Sequence, residues 1–487
     1  MKKTVFVIGS GFSSLSAACY LAKAGYSVTV FEKNHSIGGR ARQLNKDGFT
    51  FDIGPTWYWM PDVFERFFAD FDKAPSDYYS LEKLNPAYLV YFGKDDYITI
   101  EDSLEKIKLA FEKEEIGSSK KLQTFIEKAK NNYDIAIKDL VYNPGVSPLE
   151  LITPATILKL NQFFSTIKKD VRKAFKNDRL AKILEFPVLF LGAKPSDTPS
   201  FYSFMNYADF GLGTFHPKKG MFQVILAIEN LAKELGVTIK TNASIDKIIT
   251  ENGKAVGVVS NNKNYFADII VSGADYHHTE TLLGKSYRQY SENYWEKKTF
   301  APSSLLFYVG FNKKLNNVGH HSLFFDVDFD THAEAIYDNP KWPENPLFYA
   351  SFPSKTDKNS APKGMEAGIF LIPLAPGLQD TAELRETYFD KIITRFENLT
   401  SQNVKDHVIF KESFCVNDFI KDYNSYKGNA YGMANTLTQT AFLRPKLKSK
   451  KVKNLYFTGQ LTVPGPGVPP SLISGKLVAD LVTKHNH

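Results

Sequence analysis

Thr4-Val-Phe-Val-Ile8 runs into Gly9-Ser-Gly11-Phe-Ser-Ser14, and Ser27-Val-Thr-Val-Phe31 ends on Glu32, six residues before Gly38-Gly39-Arg40. These forty residues decide how the chain is read. Five apolar or β-branched residues predict a buried parallel strand. Gly9 and Gly11 then let the backbone turn sharply and approach a pyrophosphate with no Cβ in the way. The following segment has helical spacing on its apolar side (Leu15, Ala18, Cys19, Ala22) and stops at Gly25, so its N-terminal amides point to the same place. Glu32, at the end of the second strand, can accept both hydroxyls of a ribose and would repel a 2′-phosphate. A small residue is needed where the third glycine of such a turn usually stands, and Ser14 adds only a hydroxyl. The bland alternative is a βαβ unit whose glycines merely turn the chain. Strand, turn, helix, strand and acid in order, followed by a second glycine pair and a cation, favour a dinucleotide site.

The remaining sequence bounds what surrounds this clamp. At 487 residues the chain predicts two or three lobes rather than one. Its 39 Phe and 25 Tyr suit either a wide apolar cavity or an aromatic core. The two cysteines, Cys19 and Cys415, cannot build a disulfide framework, which suggests a cytoplasmic protein. Lys2-Lys3 precedes too short an apolar run for a signal peptide, and no stretch approaches the roughly 18 to 20 apolar residues of a membrane span.

Further along, Gly48-Phe-Thr-Phe-Asp52-Ile-Gly54-Pro55-Thr56-Trp57 combines a short alternating strand with a Gly-Pro turn that could lie against a planar ring. Residues 104–191 read as mainly helical. Within them Leu160, Phe163, Phe164, Ile167, Val171 and Phe175 share one face of a predicted helix. Its remaining surface carries eight cations against Asp170 and Asp178, a net +6 in a chain of formal charge +7. Such a helix either lies on an anionic membrane or faces a core with a solvated lysine surface. Nucleic acid is not expected, because no binding motif accompanies the charge. Residues 217–290 predict a helix and a run of strands returning to the first domain, and 300–430 a second sheet domain. Near the end, Asn454-Leu-Tyr-Phe-Thr458-Gly459 reads as a strand. It precedes Pro464-Gly-Pro-Gly-Val-Pro-Pro470 and a helix that brings backbone amides to a ligand.

Together these motifs resemble the bacterial-type carotenoid desaturases, whose best-known member is phytoene desaturase. The resemblance runs through the clamp, Phe51-Asp-Ile-Gly-Pro-Thr56, Pro217 to Met221, Gly273-Ala-Asp275 and His320-His321. It continues through Pro353 to Asp357, Thr436 to Gln439, and Asn454 to Gly475. It implies an α/β fold with three parts. The first is a discontinuous Rossmann-like FAD-binding domain (residues 1–100, 217–290 and 430–487), the second a helical membrane-facing lobe (101–216), and the third a substrate-binding sheet domain (291–429). FAD is the implied redox cofactor, held by Gly9, Gly11, Ser14, Glu32, Gly38, Gly39, Arg40, Gly54, Pro55, Thr56, Ile245, Gly459, Gly467, Val468 and Pro469. No metal is expected. The family's acidic groups early in the helical lobe are reduced here to Glu150, the candidate catalytic residue. Trp57, Tyr58 and His321 are candidates to line the substrate tunnel. Val463 stands where the family often has histidine, and Lys219 where it often has a first glycine.

The implied reaction introduces C=C bonds into a polyene, either of the phytoene type or by 3,4-desaturation of a hydroxycarotenoid, with oxygen or a quinone as electron acceptor. A hydrocarbon gives a general base nothing to grip, so positioning against the flavin should dominate catalysis. The expected location is cytoplasmic, peripheral on the inner face of the cell membrane. The competing readings are a carotenoid isomerase or flavin amine oxidase of the same fold, and a non-enzymatic escort for prenyl chains. Intact Glu32 and Gly38-Gly39-Arg40 argue against the escort.

Overall fold

A five-stranded sheet forms where the opening stretch predicts it. The computed structural model describes residues 2–138 and 140–486. In the sheet, Thr4–Ile8 lies between Ile269–Ser272 and Ser27–Phe31, with Leu455–Phe457 and Thr238–Lys240 outside them. Every pairing is parallel. Both faces are therefore covered, and the central strands are mainly apolar, whereas the edge strand Thr238–Lys240 is largely exposed. Val5, Val7, Val28 and Val30 point to a face packed by the helices Phe12–Lys23, Phe222–Glu234 and Val468–Asn486. Ile8, Phe31 and Ile270 point to the other face, under a three-stranded antiparallel sheet over residues 245–266. The strands come from both ends and the middle of the chain.

The last helix crosses the first at close range. Ser16 Oγ donates to the Leu472 carbonyl at 2.8 Å. A Cβ on Gly475 would stand 2.6 Å from the Ser13 carbonyl oxygen, a backbone atom that has nowhere to go. Behind this contact, Ser474 Oγ accepts from the Gly459 amide and from Thr458 Oγ1, both at 2.9 Å, which ties the closing strand to the helix.

A second, seven-stranded sheet runs in the order Val408–Phe414, Ser303–Phe311, Glu366–Leu374, Phe348–Ser351, His321–Phe324, Tyr88–Gly93 and Asp96–Ile100. The strands over 88–100 thus belong to this sheet and not to the first domain, as the sequence reading had placed them. Tyr88–Gly93 pairs in parallel with His321–Phe324, a partner more than two hundred residues away that no local pattern reveals.

The helical lobe also departs from expectation. The helix anticipated near 160–182 is three pieces, Leu160–Phe164, Ile167–Ala174 and Asp178–Glu185. Thr166 and Asn177 each accept a backbone N–H at the start of a piece, so N-caps restart the helix twice. Ile167, Val171 and Phe175 are buried, whereas Leu160 and Phe164 face outward. Four of the cations have carboxylate partners: Lys168 with Asp330, Arg172 with Asp178 and Glu185, and Arg179 with Asp96 and Glu114 on other elements, and Lys182 with Asp178 one turn away on its own helix. No helix among the described residues is long and apolar enough to cross a membrane.

Helix propensity alone would credit Gly475→Ala with about 1 kcal/mol of stability. The clash with Ser13 is expected to reverse the sign, with a net loss of about 1 to 3 kcal/mol. A thermal melt showing an unchanged or raised Tm would mean that the two helices can part without cost.

Candidate active site

One cavity of about 470 Å³ extends from the glycine turn into the second sheet. At its first end lie Gly9, Gly11, Glu32, Gly38, Gly39 and Arg40, joined by Ile245, Gly459, Gly467, Val468 and Pro469 from distant parts of the chain. Gly39 holds φ at +56°, and a Cβ there would stand 3.2 Å from the Gly11 Cα, so the two glycine turns touch backbone to backbone. The first helix starts at Gly11 without any side-chain cap, leaving its first-turn amides to whatever enters the cavity. Glu32 accepts from Ser10 N and Ser10 Oγ on one oxygen, at 3.0 and 2.6 Å, and from Asn34 N on the other, at 2.8 Å. These bonds fix the carboxylate at the cavity wall.

Arg40 is the most telling group here. Its guanidinium sits 5.2 Å over the Tyr423 ring and donates to Ser425 Oγ at 3.0 Å and to the Asn429 carbonyl at 3.3 Å. It makes no ion pair among the described residues, and its Nε is sealed from solvent without a partner. Burial lowers its pKa, opposed by the more distant Asp275 carboxylate. A buried cation with an unused donor at a helix N-terminus is a site for an anion.

The other end of the cavity is apolar. Trp57, Trp59, Phe186, Leu323, Phe325 and Phe348 form much of its wall, and Thr56 and Tyr349 stand at its junction with the dinucleotide end. The carboxylates that line the cavity are Glu32, Asp275 and Asp422, all on the dinucleotide side. His332 lines the apolar arm, but both of its nitrogens are engaged. Nδ1 accepts from the Leu347 amide and Nε2 donates to the Pro373 carbonyl, each at 2.9 Å, which fixes a neutral tautomer. Burial pushes its pKa down to about 4.

Most of the residues expected from sequence meet in this cavity, including Gly54, Pro55, Thr56 and Trp57. Four do not. Ser14 is fully buried behind the wall, with its Oγ where a side chain on Gly273 would have to go, so it sets the close packing of helix on sheet rather than a cofactor contact. Tyr58 points into the first domain, stacked 4.2 Å from Phe64 and bonded to Tyr79 at 2.8 Å. His321 lies one layer behind the wall, stacked on Trp57 at 4.0 Å with the rings 10° apart. Glu150 is outside the cavity altogether and accepts from the amides of Gly145, Val146 and Ser147 at 2.8 to 3.3 Å, closing its own turn. It caps that turn and stands apart from the cavity lining. Phe186, His332, Phe348 and Tyr349 were not singled out from sequence, because in a strand or short helix a wall residue and a core residue look alike.

The profile of the flavin containing amine oxidoreductase family matches residues 12–483. The chain belongs to that family. It is 39% identical to a carotenoid 3,4-desaturase of Haloarcula japonica over 98% of this chain and 97% of the relative. It is also 31% identical to a 4,4'-diapophytoene desaturase (4,4'-diaponeurosporene-forming) of Staphylococcus aureus, over 99% and 98%. These relatives place it within the family's carotenoid desaturase branch. Among solved structures, an oxidoreductase from Methanosarcina mazei shares the fold with a TM-score of 0.64 at 17% identity, covering 98% of this chain and all of the other.

Membership in this flavoenzyme family makes FAD the cofactor, and the cavity fits it. The uncapped helix and the unpaired Arg40 suit the pyrophosphate, fixed Glu32 suits the ribose, and the touching glycines leave room for no side chain between them. Glu32→Ala removes the ribose acceptor and is expected to weaken FAD binding by about 1 to 3 kcal/mol, roughly 5-fold to 150-fold. Quenching of flavin fluorescence on titration into apoprotein measures this directly, and an unchanged Kd would remove Glu32 from the site.

The tunnel wall has its own titrating support. Trp59 Nε1 donates to Thr214 Oγ1 at 2.8 Å, and Tyr88, edge-on to Trp57, donates to Asp209 at 2.7 Å. Burial pushes the Asp209 carboxyl up to about 7 against the opposing bonds from Tyr88 and Thr214. An unfolded aspartate titrates near 3.9, roughly. Between these values the folded chain keeps a proton that the unfolded chain has lost, so this group makes stability fall as pH rises from about 4 to about 7. Asp209→Asn should leave the Tm unchanged near the lower pH and raise it above the upper one. Melting curves across that range that stay parallel for parent and variant would contradict the assignment.

Proposed function

We propose that this chain is a carotenoid desaturase that uses bound FAD to introduce C=C bonds into a polyene, with 3,4-desaturation the first activity to test. The observation that carries this reading is the continuity of one cavity from an anion-binding dinucleotide cradle to an aromatic arm without a carboxylate. An ammonium substrate would find no carboxylate in the arm to meet its charge. A polyene needs only an apolar slot that holds one allylic carbon in place. The full-length similarity to proteins named for carotenoid desaturation supports the same choice over the amine oxidase and isomerase alternatives.

FAD, when bound, accepts a hydride from the substrate. What the protein contributes is position and dryness. Trp57, Trp59 and Phe186 are clamped edge-to-face or tilted at centroid separations of 5.3 to 6.4 Å, so the slot is rigid. Positioning of this kind replaces the acid–base chemistry that a hydrocarbon cannot engage. Oxygen or a quinone is the proposed final electron acceptor.

The substrate is proposed to arrive from a membrane, on a face different from the basic helix. Val146, Leu149, Ile152, Ile157, Leu158 and Phe164 are all 59 to 82% exposed, and they crowd into nineteen residues of the helical lobe. Leu437 and Leu443 are exposed beside them, on a segment tied to the lobe by Tyr202 with Thr440 and by Lys446 with the Gly145 carbonyl, each at 2.8 Å. Lys448, Lys450 and Lys451 follow and make no ion pair among the described residues. Each adds about 1 kcal/mol of attraction to an anionic leaflet before screening. An apolar rim beside unpaired lysines is the pattern of a monotopic surface.

Anionic liposomes carrying a single carotenoid, with FAD and no nicotinamide, test both halves together. The expected product has a longer conjugated system and a red-shifted absorption. The triple variant Leu149→Ser, Leu158→Ser, Phe164→Ser should bind the liposomes at least 10-fold more weakly, roughly, with normal FAD content. A strict requirement for added NAD or NADP would refute the proposed cofactor use. Equal binding by the triple variant would refute the docking face.

A further inference from the structure

Behind the junction of the two arms lies a chain of polar groups that the reaction as described does not use. Thr56 and Tyr349 line the cavity where dinucleotide end and apolar arm meet. Thr56 Oγ1 is 2.7 Å from Tyr349 Oη, and Tyr349 Oη is 2.6 Å from His321 Nδ1. Trp57 also reaches the Tyr349 phenol and stacks on His321, which holds both rings in place. Beyond His321 the chain opens into three packed imidazoles. His320 lies with its ring centre 4.5 Å from His321, and His216 lies 4.5 Å from His320. His320 Nδ1 is paired with Thr356 Oγ1 at 2.9 Å. His321 Nε2 and both nitrogens of His216 are sealed from solvent with no partner.

Burying unpartnered imidazole nitrogens is costly, and an apolar core would avoid it. The charged and titratable groups facing the cluster are few: Tyr349 on the cavity side, Asp357 acting on His216 from the far side, and Tyr88 with Asp209 beyond Trp57. Asp357 is itself buried and accepts from the amides of Lys219 and Asn359, at 2.6 and 3.0 Å. Burial and the neighbouring imidazoles hold His320 and His321 well below the ordinary histidine value, so both rest neutral and can accept.

We propose that Thr56, Tyr349 and His321 form a proton relay from the cavity to the three-histidine cluster, and that His321 receives the proton that desaturation releases. This rests on the desaturase reading given above. Making one C=C bond breaks two C–H bonds. One hydrogen leaves as hydride, with both electrons of its bond, to FAD. The other leaves as a proton, and the electrons of its bond become the new π bond. That proton is taken by Thr56 Oγ1 as the Thr56 proton passes to Tyr349 Oη and the Tyr349 proton passes to His321 Nδ1. Each hydroxyl ends as it began, and His321 becomes an imidazolium. The relay ends at that imidazolium, whose ring centre lies 4.5 Å from that of His320, with the Asp357 carboxylate acting on His216 through space.

Two measurements decide it. In the full chain labelled with ¹⁵N-histidine and without substrate, the His321 resonance, assigned from its loss in His321→Gln, should show an unprotonated, hydrogen-bonded Nδ1. That signature should disappear in Tyr349→Phe. A permanently protonated Nδ1 could not accept, and would overturn the relay whatever the substrate is. In anaerobic single turnovers monitored by flavin bleaching, Tyr349→Phe and His321→Gln should each slow the step about 100-fold. FAD content and the carotenoid concentration at half-maximal rate should be unchanged. The parent rate should be flat with pH, that of His321→Gln should climb with it, and imidazole should restore His321→Ala. Parental rates in both variants, or losses explained by FAD content alone and not rescued by imidazole, would overturn the proposal. A parent that no carotenoid bleaches would refute the desaturase reading, and with it the proton source, while the histidine resonances still report whether the hydrogen-bonded chain exists.

Discussion

The contact between Gly475 and the Ser13 carbonyl is the constraint on which the site depends. It lets the last helix lie against the first, so two helix N-termini, from opposite ends of the chain, open on one cavity. The first brings the unpaired amides of its opening turn, and both bring the positive end of a helix dipole, Pro469 and Pro470 stiffening the start of the last helix in place of amides. Neither alone would hold a dinucleotide in a fixed pose. The parallel sheet beneath them repeats the same logic, because Leu455–Phe457 adds to a sheet started at Thr4–Ile8. The dinucleotide domain is therefore complete only after the rest of the chain has been inserted and closed, which explains why its parts are scattered.

The second sheet does different physical work. Its strands carry Leu323, Phe348 and Tyr349 to the cavity wall, and its helix Phe329–Tyr337 carries His332. Polar groups are admitted to this wall only when they are satisfied, as His332 is on both nitrogens. The same fold in distant relatives houses other chemistry, since a fold supplies a frame and the lining chooses the substrate. Here the lining separates charge from hydrocarbon. Arg40 and the three carboxylates stand at one end and aromatic rings at the other, with Thr56 and Tyr349 at the boundary. The three-histidine cluster lies directly behind that boundary, with His321 bonded to Tyr349.

Surface and core in the helical lobe are distinguished by pairing more than by composition. The lysine-rich stretch over 160–182 looks like a membrane anchor in isolation, yet four of its cations meet carboxylates and its Ile167–Val171–Phe175 face is core. The exposed apolar residues lie upstream, in short turns with no helical period to announce them. An amphipathic pattern reports that one side is apolar. It does not report what that side faces.

The sequence by itself determined the dinucleotide clamp, the need for a small residue at position 14, the acid at Glu32 and the family. These follow from local rules: strand period, glycine at turns, and amides at a helix start act within a few residues and leave a mark at fixed spacing. Tertiary structure alone decided the rest. It assigned Tyr88–Gly93 to the second sheet, turned Tyr58 into the core and Trp57 to the cavity, and set Glu150 as the cap of its own turn away from the cavity. It also brought His216 beside His320 and His321 across more than a hundred residues. Each of these depends on which partner a side chain meets through space, and a single chain carries no local record of contacts made at such separation.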